Sequence, residues 1–122
     1  MKEKIDELRE KYPTLFSNHE MEPITLFGIE HGPGWNHITE ALCDGLSKTF
    51  KNKTDPPVIQ QIKQKFGTLR VYMSHVDEEA DILIDFAESL ASNTCEKCGK
   101  PGKLNDKGWW MVLCEGCNTK SS

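Results

Sequence analysis

The sequence lacks several features that define common protein classes. No apolar run in its 122 residues approaches the roughly 20 residues that a membrane-spanning helix needs. The charged start, residues 1–6, has no apolar stretch of the kind found in a secretory signal peptide, so we expect a cytoplasmic protein. A formal net charge of −4 is also unlike the basic excess of most nucleic-acid binders. These absences favour a soluble protein with no membrane partner.

Catalytic motifs are missing as well. The sequence contains no Gly-x-Ser-x-Gly, no phosphate-binding loop and no Gly-x-Gly-x-x-Gly fingerprint. Nucleases of the His-Asn-His type can carry two Cys-x-x-Cys pairs, but they need histidine beside a catalytic ion, and none occurs between Cys95 and Cys117. The four histidines are scattered and form no standard ligand pair: His19, His31, His37 and His75. We therefore expect a protein that is not an enzyme.

Two Cys-x-x-Cys pairs are the strongest signal in the sequence. Cys95 and Cys98 form the first pair, and Cys114 and Cys117 form the second after fifteen intervening residues. Two residues between cysteines let one tight turn aim both sulfurs at a single ion, and this spacing is typical of a tetrahedral zinc site. Four thiolates leave no open position, which predicts one structural Zn²⁺. Two disulfides are the alternative, but they would need an oxidising compartment.

The sequence predicts an α+β fold in two parts. The body covers residues 1–94, and a C-terminal four-cysteine zinc ribbon covers residues 95–122. No long flexible linker separates the two parts, so we expect the ribbon to pack on the body. The fifth cysteine, Cys43, lies beside the apolar stripe of a predicted helix and is interpreted as a small buried hydrophobe.

Periodicity and turn residues place the elements of the body. Apolar residues at helical spacing predict three helices, over residues 2–12, 35–50 and 77–92. Predicted strands in a small antiparallel sheet cover residues 24–30, 58–66 and 69–74. Gly67-Thr68 is expected to form a type II′ hairpin turn between the last two strands. The third helix, with Asp77 as its N-cap, is expected to bury one stripe: Ile82, Leu83, Phe86, Ala87 and Leu90.

Charge is unevenly distributed along the chain. Residues 48–76 carry a net charge of +5, whereas residues 77–94 carry −6 with no basic side chain. A solvated helix face is the commonest reason for such an acidic block, and a face that binds a basic protein surface is the sharper hypothesis. The contributing side chains would be Asp77, Glu78, Glu79, Asp81, Asp85 and Glu88.

Two tryptophans in the ribbon offer a rival contact surface. Trp109 and Trp110 begin a predicted strand over residues 109–113 that leads into the second cysteine pair. We expect one of them to face the ribbon's own core and the other to face the body or a partner, since tryptophan is a frequent interface anchor.

Three stretches together resemble a group of small proteins carried by bacteriophages and prophages. They are Phe27-Gly28-Ile29-Glu30 followed by Gly32-x-Gly34-Trp35, then Lys65-Phe66-Gly67-Thr68-Leu69-Arg70-Val71-Tyr72, then the ribbon with Trp109-Trp110. The resemblance covers roughly residues 24–117. It implies a bacterial host cell and a role in blocking a host or defence enzyme. Some inhibitors of CRISPR nucleases are similar, including zinc-bound ones.

The expected function is therefore stoichiometric binding and inhibition of a nucleic-acid enzyme, with a CRISPR effector nuclease as the sharpest form. The alternative is a nucleic-acid-binding regulator that uses the ribbon and the basic hairpin of Lys63, Lys65 and Arg70. Direct nucleic-acid binding is the less favoured of the two because the chain as a whole is acidic.

Overall fold

Helices and strands alternate irregularly along the chain, as expected of the α+β class. The structure is a computed structural model that describes the backbone of residues 2–121 and the side chains of residues 4–118. The helices in this range are α1 (Lys2–Lys11), α2 (Pro23–Phe27), α3 (Asn36–Thr49), α4 (Glu78–Ala91) and α5 (Glu115–Ser121). The strands are β1 (Ile29–Glu30), β2 (Ile59–Lys65), β3 (Thr68–Met73), β4 (Lys103–Asn105) and β5 (Met111–Leu113). No helix among the described residues is long and apolar enough to cross a membrane.

The strands form two small sheets. The body contains a three-stranded sheet in the order β1-β2-β3, and the ribbon contains the β4-β5 pair. Strands β2 and β3 form the predicted antiparallel hairpin, but β1 runs parallel to β2, with Ile29 opposite Ile62. The sheet of the body is therefore mixed, because β1 reaches β2 through a connection that contains all of α3.

The core of the body lies between α3, the sheet and α1. The predicted stripe of α3 is confirmed, with Trp35, Ile38, Leu42 and Leu46 all buried. Cys43 is part of the same core, where burial raises the pKa of its thiol to about 12. A thiol held neutral in this way contributes packing and is a poor nucleophile.

The predicted strand over residues 24–30 is wrong for most of its length. Residues Pro23–Phe27 form the short helix α2, and only Ile29–Glu30 pair as a strand. Pro23 occupies the start of α2, where its fixed φ and missing N–H suit a first turn. Gly28, at a φ of 66°, ends the helix and its N–H donates to the carbonyl of Ile24.

The hairpin turn lies one residue earlier than predicted. Lys65 pairs with Thr68, so the two turn residues are Phe66 and Gly67, with φ angles of 53° and 79°. Two positive φ angles fit a type I′ turn, not the predicted type II′. Phe66 is the one non-glycine residue with a positive φ in the described part of the chain. Holding an L-residue in the left-handed region costs about 1–2 kcal/mol.

Helix α4 buries a different face from the one predicted. Asp77 is the N-cap as expected, and its carboxylate accepts a hydrogen bond of 2.9 Å from the N–H of Ala80. The fully buried residues of α4 are Ala80, Ile84, Ala87 and Ala91. The three alanines on this face let α4 approach α3 and β3 closely. Most of the predicted stripe is therefore exposed, namely Ile82, Phe86 and Leu90.

Candidate metal centre

The four predicted cysteines converge on one point. The sulfur atoms of Cys95, Cys98, Cys114 and Cys117 all lie within 4.8 Å of one another, and the Cys98–Cys114 sulfurs are 3.5 Å apart. Four sulfurs at about 2.3 Å from a tetrahedral zinc ion would be about 3.8 Å apart, so the cluster fits that geometry. The cysteines are arranged to bind one metal ion in a closed structural site.

Two tight turns present the sulfurs. Gly99 follows the first pair at a φ of 85°, and its N–H donates to the carbonyl of Cys95 at 2.9 Å. Cys114 follows β5 directly. Its sulfur accepts a hydrogen bond of 3.4 Å from the N–H of Cys117. A backbone donor to sulfur, such as the N–H of Cys117, stabilises negative charge on metal-bound sulfur.

The thiols of the cluster differ in their acidity. Burial raises the pKa of Cys95, but hydrogen bonds from the backbone of Cys114, Cys98 and Lys97 outweigh this effect and lower it to about 6. Hydrogen bonding to the Cys114 and Cys95 sulfurs raises the pKa of Cys117 to about 12. Four adjacent sulfurs cannot all ionise together unless a cation offsets their charge. A divalent ion such as Zn²⁺ supplies that charge when it binds.

The Gly-Pro-Gly-Trp turn attaches the ribbon to the body. The N–H of Gly34 donates to the carbonyl of Glu96 at 2.7 Å, and the indole N–H of Trp35 donates to the carbonyl of Thr94 at 2.8 Å. A β-carbon at Gly34 would overlap the carbonyl oxygen of Cys95, the first metal ligand. We call these contacts between residues 32–35 and 94–96 the seam. Glycine at position 34 is required because the two backbones touch there.

Glu96 extends the seam to the sheet. Its buried carboxylate accepts a hydrogen bond from the N–H of Gly32 at 2.9 Å and one from the Gln64 amide at 3.1 Å. The same Gln64 amide donates to the carbonyl of Trp110 at 2.7 Å. Val112 of β5 also belongs to the core of the body. The metal-binding turns are therefore packed on the body and are not tethered to it.

The histidines do not join the cluster. His19, His37 and His75 are exposed. His31 is buried, with Nδ1 at 2.8 Å from the Gly32 carbonyl and Nε2 at 2.7 Å from the Thr39 hydroxyl. Since a carbonyl can only accept, Nδ1 carries the proton and Nε2 accepts from Thr39. Burial lowers the pKa of His31 to about 4, so it is a neutral structural residue at neutral pH.

The six acidic residues predicted as partner contacts all lie on or just before α4. Glu78, Glu79, Asp81 and Asp85 are exposed. Asp77 forms an ion pair with Lys53, and this ion pair lowers the pKa of Asp77. Burial raises the pKa of Glu88, which also faces Arg70 on β3.

The prediction for the two tryptophans is half wrong. Trp109 is 82% exposed and Trp110 is 44% exposed, so neither fills the ribbon's own core. The buried cluster of the ribbon consists of Cys95, Leu113 and Cys114. Both tryptophans instead line a groove of about 650 Å³ beside the hairpin turn. We call it the aromatic groove, and its lining is Gln64, Lys65, Phe66, Gly108, Trp109 and Trp110.

Two exposed apolar features were not singled out from the sequence, namely a row of side chains on α4 and Phe66 in the hairpin turn. Ile82, Phe86 and Leu90 were expected to be core residues because their spacing is helical. Phe66 was assigned to a strand, although the glycine after it was a signal for a turn. Its exposure depends on a turn conformation that phenylalanine rarely adopts.

Compared with known proteins, the chain matches no protein-family model, and no curated protein or solved structure matches it either. The metal-binding cluster is present in the structure. The resemblance to phage proteins stays a hypothesis.

Proposed function

We propose that this protein binds a nucleic-acid enzyme through the outer face of α4 and inhibits it by occupying a basic surface, acting by stoichiometric binding and not by catalysis. The zinc ribbon has a structural role in this proposal. The observation that supports it is an apolar row on α4 with acidic residues beside it.

The apolar row is formed by three side chains at four-residue spacing. Ile82, Phe86 and Leu90 are 60%, 63% and 43% exposed. Residues four apart lie on one side of a helix, so the three form a continuous strip. Burying a large apolar side chain stabilises a complex by about 1.5–3 kcal/mol. An exposed strip of this size on a helix is typical of anchors that enter an apolar groove on a partner.

The acidic residues define the chemistry of that partner. Glu78 continues the apolar row at its N-terminal end, Asp81 and Asp85 lie on one flank, and Glu79 lies on the other. No basic residue occurs in residues 77–94, so the field around the row is negative. A complementary surface would be an apolar groove with lysine or arginine at its rim. Enzymes that hold nucleic acid in a channel supply the basic charge, and the resemblance to phage proteins points to CRISPR effector nucleases among them.

A second copy of this chain is a poorer occupant of the same face. Symmetric pairing of two α4 helices would place two acidic flanks close together. Like charges at short range oppose association, most strongly at low salt. A different molecule with a basic surface avoids this repulsion.

A site-specific cross-linker tests the proposal. Benzoyl-phenylalanine would replace Phe86 in one variant and Ser47, an exposed residue of α3, in the control. In bacteria that carry a phage-defence system, we expect the variant at position 86 to cross-link one basic nucleic-acid enzyme, and the control at position 47 to cross-link none. Cross-links from position 86 only to a second copy of the chain would contradict the proposal.

The inhibition itself is tested with a purified effector nuclease loaded with its guide RNA. Reversal of Glu78, Asp81 and Asp85 to lysine should weaken inhibition of DNA cleavage, and more so at low salt. Phe86→Asp should weaken it at every salt concentration because it removes an apolar anchor. If both variants fold, bind zinc and inhibit as well as the parent protein, α4 is not the contact surface.

A further inference from the structure

The aromatic groove is a second exposed surface, separate from α4. Phe66 is 66% exposed and stands edge-to-face against Trp110, with ring centroids 6.0 Å apart and planes at 68°. Trp109, the residue before Trp110, extends the same wall into solvent. Three aromatic rings at one groove leave more apolar surface in water than folding alone requires.

The conformation of Phe66 is the first argument for a ligand. Its φ of 53° is rare for a bulky residue, whereas asparagine before glycine occupies the same turn position readily. Residues held in unfavourable backbone conformations are found at binding sites more often than elsewhere. Here the unusual conformation places the ring of Phe66 against Trp110 at the mouth of the groove.

The rigidity of the groove is the second argument. Gly67 packs against the end of the Leu104 side chain of β4. On the other side of the turn, the Gln64 amide donates to the carbonyl of Trp110 at 2.7 Å. The hairpin and the ribbon are therefore joined on both sides of Phe66. Rings held in place before binding lose little conformational entropy when a ligand arrives.

Charge is the third argument, and it selects the ligand. Lys65 lines the groove, and Lys107, which lines the neighbouring cleft of the ribbon, directly precedes Gly108 of the groove in the chain. Neither lysine forms an ion pair with any side chain in residues 4–118. The segment that contributes Lys65 and Phe66 carries +5 over residues 48–76, and the ribbon is close to neutral, because its +2 from Lys, Asp and Glu is offset by four thiolates on one Zn²⁺. Flat rings with lysines at their edge suit a chain of flat bases linked by phosphates.

We propose that the aromatic groove binds single-stranded nucleic acid, with bases stacked on Phe66, Trp109 and Trp110 and phosphates near Lys65 and Lys107. The Gln64 amide is already bonded to the carbonyl of Trp110, so it cannot read a base edge without breaking that bond. Binding is therefore tolerant of sequence. A paired duplex keeps its bases stacked internally and cannot offer them to the rings. A proline-rich peptide would also stack on tryptophan but would leave both lysines without a role.

Tryptophan fluorescence measures this binding directly. The chain has three tryptophans, and Trp35 is fully buried, so quenching reports Trp109 and Trp110. The zinc-loaded full chain would be titrated with oligothymidylate and oligouridylate of about twelve nucleotides, a length within the usual site sizes. We expect saturable quenching by both strands and little by a duplex of the same length. With two phosphate contacts, the logarithm of the binding constant should fall with the logarithm of salt at a slope of about −1.4.

Matched variants separate binding from folding. Phe66→Ala should weaken strand binding roughly 5- to 150-fold, the range measured for one stacked base. Phe86→Ala, an exposed phenylalanine on α4, should leave it unchanged. Phe66→Asn is the sharpest variant, because it should raise the melting temperature by suiting the left-handed turn and still lose binding.

Three outcomes would overturn the proposal. They are no quenching by either strand at low salt, quenching by a proline-rich peptide but by neither strand, and full strand binding by a folded, zinc-loaded Phe66→Asn variant. None of these readouts depends on α4 or its partner, so this proposal and the proposed inhibition can fail separately.

Discussion

The body and the ribbon are parts of one fold, but different interactions stabilise them. The body buries a continuous apolar core contributed by α1, α3, α4 and the sheet. Up to residue 118, the last side chain described, the ribbon has a buried cluster of its own that contains only Cys95, Leu113 and Cys114, and two of these are metal ligands. A segment below about 40 residues rarely buries enough apolar surface to offset its conformational entropy. The ribbon therefore depends on the metal for its order more than the body does.

The seam makes the body partly dependent on the ribbon. Gly34 and Trp35 of the body hydrogen-bond to Glu96 and Thr94 beside the first metal ligand, and Val112 of the ribbon fills part of the body's core. Loss of the metal therefore disturbs the body along the seam.

The outer face of α4 and the aromatic groove also differ in whether they depend on the ribbon. The outer face of α4 is built from one helix of the body. The aromatic groove needs Phe66 from the body and both tryptophans from the ribbon. Any change that detaches the ribbon should destroy the groove and leave α4 exposed as before.

Of the changes that distinguish the body from the ribbon, metal removal should have the largest effect. We expect one zinc ion per chain, and Cys98→Ser should lose it. Structural zinc contributes on the order of 10–16 kcal/mol of apparent binding free energy in small modules. Without it, amide hydrogens of β4 and β5 should exchange freely while those in the middle of α3 stay protected. Elemental analysis and hydrogen exchange measure the two effects.

Cys43→Ala is the matched control for metal removal. Cys43 is buried in the body outside the cluster, so this variant should keep its full zinc content. A parent protein without zinc, or a Cys98→Ser protein with all of it, would refute the assignment.

Gly34→Ala should break the seam without replacing a metal-binding side chain. The added β-carbon would overlap the backbone of Cys95 and Glu96, which cannot move aside as a flexible side chain can. We expect a loss of about 3 kcal/mol in the free energy of unfolding, measured in urea. Gly45→Ala on α3 is the control, since its β-carbon would lie 3.5 Å from Leu83 in ordinary contact. That variant should gain about 0.5–1 kcal/mol from helix propensity. Equal stability of the two variants would mean that the seam is not tightly packed.

The parts of the fold that could be predicted from sequence are those set by nearby residues. Each pair of cysteines is aimed by its own turn, and the ion brings the two pairs together. Helix α3 was predicted because its only long apolar stripe includes Ile38, Leu42 and Leu46. The seam was not predicted, although Gly32, Gly34 and Trp35 were noticed as a pattern. Their partner backbone lies about sixty residues further along the chain.

Helix α4 shows why the remainder could not be predicted. Its sequence has two apolar stripes at helical spacing, one of large side chains and one mainly of alanines. Hydrophobicity favours burial of the large side chains, at Ile82, Phe86 and Leu90. The stripe that contains the alanines is the buried one, and its three alanines let α4 lie at a short distance from α3 and β3. That distance is set by the whole core, so local periodicity cannot choose between the stripes.

Helix α2 and the hairpin turn were mispredicted for more local reasons. Ile24 and Thr25 are β-branched and favoured a strand, but Pro23 and Gly28 were available as signals for the start and end of a short helix. The turn position follows from Gly67, which packs against Leu104 of the ribbon. No propensity would place Phe66 at a positive φ.

Acid should destabilise both the ribbon and the body. In the body, the group responsible is His31. Its pKa is about 4 when folded and 6.5 in the unfolded chain, so the unfolded state takes up a proton first as the pH falls. The stabilising contribution is complete above pH 6.5 and is lost between pH 6.5 and 4. We expect a loss of roughly 2 kcal/mol in the free energy of unfolding from about pH 7 to pH 5.

The control must separate the effect of His31 protonation from the effect of zinc loss, because acid also protonates the cysteine sulfurs and so releases the metal. His31→Gln has the same ribbon but no titrating ring. The parent protein should lose more stability than this variant over the same pH range, with zinc content followed in both. Parallel pH profiles for the two proteins would show that His31 does not charge on unfolding.

The smallest effect on stability should come from the outer face of α4, even though its side chains are large. Phe86→Ser removes an aromatic ring that is already in water, so the free energy of unfolding should change by no more than about 0.5 kcal/mol. Ile84→Ala, two residues away on the buried face, should lose about 2–5 kcal/mol because it leaves a cavity against α3 and β3. Urea unfolding of the two variants measures the difference, and their zinc contents should be equal because neither touches the ribbon. A Phe86→Ser variant as unstable as Ile84→Ala would place Phe86 in the core, and the body would then have no free apolar row to offer a partner.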